Sequence, residues 1–402
     1  MKKTHLVAGL VLALGAPLAG CSSGPPADCD QYVTPGADDQ TAIAMMLVTA
    51  TDGQTLCLGP GTYRLTDPLE IRDRTGVTIR GTGSSPGAVV LDFAMQAAGS
   101  KGLSGTAMTD FTIENLTVLD ASGDNVYVNG SDGVVIRDVV SRWVTRPMES
   151  RGKYAIYPVE STDVLLERVE AEGSSDAGIY VGQVDGCIVR DSYAHGNVAG
   201  IEIENSTNCE VVDNRAIGNT GGILVFELPG LPMAGSRTSV HGNTVTMNNT
   251  PNFGEAGTII SFLPQGTGIM VLAANIVDIY DNDISGNQTV GVFMLSYATV
   301  EAVGGPMSMD PDYEPFLENV YVHGNTWGMN GTMPEGMLAS FGTGNDILFD
   351  GVLPMGGMPT TLCIDEDGVV FRNIDVPGNF MNMSMDLAPH ECTGMSLDPV
   401  ML

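Results

Sequence analysis

The chain has 402 residues and carries 48 acids against 17 bases, a net charge of −31 at pH 7. Such a surface excludes nucleic acid as a partner, because phosphate binding needs clustered Lys and Arg. Its hydrophobic content of 43% is that of a folded protein and not of an acidic tail. Seven cysteines, none in CxxC spacing, argue for disulfides over a zinc site or a thioredoxin-like motif.

Lys2 and Lys3 precede an apolar run, Leu6 to Ala16, that is too short to span a bilayer. Leu18-Ala19-Gly20-Cys21 then places small residues directly before a cysteine. This resembles the bacterial lipobox, which implies that residues 1–20 are a lipoprotein signal peptide and that Cys21 is acylated. The chain is then exported and touches the membrane through the lipid anchor only. Ser22 implies the outer membrane by the same resemblance and leaves the side open. Residues 21–30 read as the tether. In an oxidising compartment the other six cysteines suggest neighbouring pairs: Cys29 with Cys57, Cys187 with Cys209, and Cys363 with Cys392.

Asp38 to Thr51 has the capping residue and apolar spacing of a short helix. Beyond it a repeat governs the chain. The segments beginning at Val164, Cys187 and Glu210 step by 23 residues, and Gly178-Ile179-Tyr180, Gly200-Ile201-Glu202 and Gly222-Ile223-Leu224 step by 22. A unit of short alternating strands cannot bury its apolar face alone, and stacking the units buries a continuous column of Ile and Val. Asn pairs five apart recur at Asn214/Asn219, Asn243/Asn248, Asn282/Asn287 and Asn325/Asn330, as turns with amides bonded along a stack require. The pattern predicts an all-β, right-handed, single-stranded parallel β-helix of about ten coils over residues 31–331. The helix covers its first edge, and residues 332–402 form an irregular C-terminal cap.

The opening GADDQTAIAMMLVTATDGQTLCLGPGTYRL and the units SDAGIYVGQ, NVAGIEIENS and NTGGILVFELPGLP resemble the pectin-lyase-like superfamily. More narrowly they resemble the parallel β-helix repeat lipoproteins, a functionally uncharacterised family. The wider superfamily implies polysaccharide lyases, hydrolases and uronate epimerases, together with non-enzymatic carriers. The narrow family implies a second exported protein, such as a c-type haem protein, as partner.

Chemistry is sought on the outward ladder, which the register predicts to run Tyr127, Tyr157, Tyr180, Glu202, Leu224. Glu202 and Glu204, two residues apart on one strand and so about 7 Å apart, suit an acid and base pair for glycoside hydrolysis. Alternatively they are solvated charges. The insertion RWVTRPMESRGK places Arg142, Trp143, Arg146, Arg151 and Lys153 in one loop. With Tyr180 these suit an acidic polysaccharide: guanidinium forks for its carboxylates and an aromatic face for the ring. Lys153, Tyr154 or Tyr157 is then the base of a lyase or epimerase. His195 is placed near Glu202, and Asp176 is read as a turn-former. No metal site and no cofactor motif is found. Two functions follow: processing or binding an acidic glycan if loop and ladder converge on a groove, or a surface scaffold docking an exported protein through a flat ladder and the apolar segment Phe226 to Pro232.

Overall fold

The structure, a computed structural model, describes residues 26–354 and 361–402; the leader and Cys21 lie outside them. Parallel strands stack in register into a 20-stranded sheet and an 11-stranded sheet, the all-β solenoid that the repeat predicts. The interior columns are those of the pattern. Ile179, Ile201, Ile223, Ile269, Val292 and Ile347 occupy successive rungs and are fully buried.

The first coil is closed by the helix Asp39–Thr49, with Asp38 accepting from the Thr41 N–H. Asp39 fixes its docking by accepting from the Gly36 and Arg64 amides, while Ile43, Met46 and Leu47 cover the open edge. Stacking runs further than the repeat. Ile347–Phe349 and Phe371–Asn373 add two rungs to the 11-stranded sheet beyond residue 331, and Leu362–Asp365 adds one to the other, so the cap is not wholly irregular. All three expected disulfides form. Cys187 and Cys209 face each other on adjacent rungs of the interior.

The Asn pairs build two buried ladders. In one, Asn219, Asn248, Asn287 and Asn330 each donate an amide to the previous coil, and all but the last also donate to the next Asn carboxamide. The corners turn on left-handed residues, mostly Asp, Asn or Gly, which tolerate that conformation. Arg168 (φ 50°) is an exception, and its guanidinium grips Asp138 with two bonds.

Candidate active site

The outward ladder of the 11-stranded sheet has the expected order. Tyr127, Tyr157, Tyr180, Glu202 and Leu224 stand on successive rungs, and Met270 and Phe293 continue the row. Tyr154 leans between Tyr157 and Tyr180, with ring centroids at 4.4 and 4.6 Å. The Lys101 ammonium lies 3.3 Å over the Tyr127 ring and 2.8 Å from Asp124.

Glu202 and Glu204 are not solvated charges. Both are buried, and Phe253 and Ile259 of the segment 247–266 pack against the apolar cluster that includes Tyr180. Tyr180 Oη donates to Glu204 Oε1 at 2.5 Å and the Gln183 amide adds a bond at 3.3 Å. Burial pushes the Glu204 carboxyl up, and these two donors oppose the shift. Glu202 has no such help: its buried Oε2 has no partner, and burial with the charges of Asp176 and Glu204 holds it well above the usual carboxylate range. Burial also pushes Glu227 up to about 7.

Asp176 is more than a turn-former. It takes a hydrogen bond from Tyr154, and burial together with the Glu204 charge pushes it up to about 7 against the pull of Lys153. Lys153–Tyr154 occupy the rung between Asp176 and Asp124: the Asp176 amide donates to Lys153 O, and the Asn125 amide donates to Tyr154 O. Beside them opens a cavity of about 630 Å³, lined by Asp124, Arg151, Lys153, Ser175, Phe253 and Glu255 among others. Lys153 bridges it to Glu255 at 2.8 Å, and that contact raises the lysine's pKa and keeps it an ammonium. Burial likewise raises Tyr157, which disfavours a phenolate there.

The loop converges on this groove only in part, and three of its residues require correction. Trp143 is 1% exposed inside the coil, its indole N–H donating to Ala121 O, so it offers no face to a sugar. Arg146 is tied to Asp120 O and Phe93 O, beneath a turn that the buried Asp120 carboxylate organises through Val144 and Thr145. Arg142 belongs to the other sheet, on the rung before Glu172 and His195. His195 likewise stands on the other sheet from Glu202 and contacts Glu170 at 3.3 Å. Glu170, Glu172 and His195 offer three ligand atoms within 4.8 Å, the group among the described residues with metal-ligand spacing. The segment Phe226 to Pro232 is no free docking strip. Asn205 holds Leu228 O, Tyr313 holds Glu227 O, and Phe226 is buried.

Residues 101–305 match the family described as right-handed beta helix region. No curated protein matches the chain. Among solved structures, the A-modules of mannuronan C-5 epimerases AlgE6 and AlgE4 of Azotobacter vinelandii are similar at 17% and 18% identity. They cover 82% and 78% of this chain and 89% and 87% of theirs, each with a TM-score of 0.48. The polygalacturonase of Erwinia carotovora ssp. carotovora matches at 10% identity over 79% of this chain and 98% of its own, with a TM-score of 0.42. At these values nothing about activity follows from them.

Proposed function

The chain belongs to the right-handed β-helix family, and we propose that the carboxylate-lined cleft beside its tyrosine ladder hydrolyses a neutral polysaccharide by acid and base catalysis. One observation carries the reading: Asp176, next in the chain to Ser175 of the cavity wall and with its pKa pushed up to about 7, lies two rungs from the cavity-lining Asp124, which is paired with Lys101. Two rungs of about 4.8 Å each bring the pair near the separation that leaves room for a water in an inverting mechanism. A buried carboxyl that holds its proton, beside a carboxylate that faces an ammonium, divides the roles of acid and base. Asp176 is the proton donor to the leaving oxygen, and Asp124 is the base that activates water.

Glu202 and Glu204 are positioning residues behind Asp176, and the charge of Glu204 keeps its proton on. The Phe253 ring, which lines the cavity, supplies an aromatic face against which a sugar stacks. Lys153 closes the groove through Glu255. An acidic glycan is the weaker substrate reading. With Arg142 and Arg146 turned elsewhere, a uronate would face Asp124, Glu149 and Glu255 with Lys101, Arg151 and Lys153 as its cations. The enclosed ladder also weighs against the scaffold reading, which needs a flat uncovered face.

The pH profile of reducing-end release from neutral glucans and galactans tests this. Turnover falls on the alkaline side with a midpoint at about 7, as Asp176 gives up its proton before the substrate arrives. A profile that keeps rising through that pH contradicts the assignment.

We also read the chain as lipid-anchored, on the strength of the residues before Cys21. Labelled palmitate given to expressing cells enters the protein, and Cys21→Ser abolishes the label. Label that persists in the variant overturns the anchor.

A further inference from the structure

The same sheet face that carries the carboxylates changes character at Leu224. From there Phe226, Met270, Leu272, Phe293 and Leu295 point outward, and beyond them lies a cavity of about 250 Å³. Its other walls are the covering segment, through Ile259 and Leu263, the helix Tyr297–Ala302, through Val300, and the C-terminal region, through Leu338, Ile374 and Phe380. We propose that this cavity is a binding site for an alkyl chain carrying an uncharged head group. The assignment goes beyond the glycan reading and does not depend on it.

Three observations on the cavity carry the proposal. First, the walls are carbon apart from two residues. The Thr299 hydroxyl is committed to Asp350 at 2.6 Å, and Glu335 accepts the Gln265 amide at 2.5 Å. A dry cavity of about 150 Å³ with such walls takes a benzene, and this one is larger. Second, the walls are pinned and do not simply mark a loose core. The buried Asp350 carboxyl accepts from the Ser296 amide, the Ser296 hydroxyl and Thr299, which fixes the helix that bears Val300. Unfilled apolar volume costs stability in proportion to its size, so walls held apart favour an occupant. Third, the mouth is apolar as well: Phe262, Val303 and Met337 line the cavity and are 38%, 46% and 50% exposed. Exposed apolar residues grouped around a pocket mark a site of contact.

The head group follows from charge. Among the described residues no Lys, Arg or His lines the cavity, and Glu335 does. A carboxylate or phosphate head would meet an acid and no cation, so the head is uncharged.

Titration calorimetry with 1-octanol as probe tests the site, with octanoate as the charged counterpart. The full chain binds octanol saturably at one site, and octanoate at least about tenfold more weakly, because a carboxylate at an apolar mouth goes unpaired. Val303→Glu and Met337→Glu, both on the exposed rim, weaken octanol several-fold without changing the melting temperature. Val300→Trp, which fills the cavity, abolishes binding; if that variant fails to fold, the two rim variants still decide. No saturable heat with the unaltered protein, or equal affinity in every folded variant, overturns the proposal. Octanol carries no sugar, so its failure leaves the glycan reading standing. Flotation of the Cys21→Ser protein with phosphatidylcholine vesicles separates sources. Co-flotation that Met337→Glu abolishes assigns the chain to a bilayer lipid, and octanol binding without flotation assigns it to a free amphiphile.

Discussion

Asp176→Asn loses about a thousandfold in turnover, the loss of a positioned general acid, while its melting temperature at pH 8 rises. The two effects share a cause. Burial and the Glu204 charge push the Asp176 carboxyl up from an ordinary 3.8 to about 7, so the folded state binds this proton more tightly than the unfolded chain does. Linkage then requires stability to fall as pH climbs from the unfolded value through about 7. Asparagine cannot ionise and removes that loss. Steady-state kinetics together with melting curves at pH 5 and pH 8 check it. Unchanged turnover would remove Asp176 from the mechanism, and a lower melting temperature at both pH values would mark it as a structural residue instead.

Asn248→Ala has the largest expected effect on stability. Asn248 Oδ1 accepts both the backbone and side-chain N–H groups of Asn219, at 3.1 and 3.0 Å. Its amide donates to Ala216 O and to Asn287 Oδ1. Alanine leaves these buried groups of the neighbouring coils without partners and admits no water. Each unsatisfied group costs roughly 1–3 kcal/mol, so the loss is at least about 3 kcal/mol. The control Asn129→Ala removes only an exposed bond to Glu160 and costs about 0.5 kcal/mol or less. Urea denaturation of both variants checks the difference. Equal midpoints would show that the ladder decorates the solenoid without holding it together.

These residues also show what was legible in the sequence. The Asn ladder, the disulfide order and the row Tyr127, Tyr157, Tyr180, Glu202, Leu224 all come from a repeat that advances by one coil, because stacking converts a fixed period into contact. The loop from Arg142 to Lys153 interrupts that period. Without a phase, the inward direction of Trp143 and the position of Arg142 on the other sheet cannot be read. The burial of Glu202 was equally hidden. Outward on a strand implies solvated only where nothing covers the strand, and the covering segment comes from residues 247–266, more than forty positions later. Asp176 and Asp124 left a fainter signal. In SGDNV and SSDAG each stands at the entry to a ladder strand, a place where turn grammar alone accounts for an Asp.

Proton NMR of the first product released from a neutral polysaccharide by the purified protein tests the pairing of Asp124 with Asp176 directly. The expected product is a reducing sugar whose anomeric configuration is opposite to that of the bond cleaved, and it disappears in Asp124→Asn as well as Asp176→Asn. A product with retained configuration would contradict the pairing of these two carboxylates across a water. An unsaturated uronate released from an acidic polymer, with the neutral ones untouched, would contradict hydrolysis itself and return the cleft to elimination chemistry.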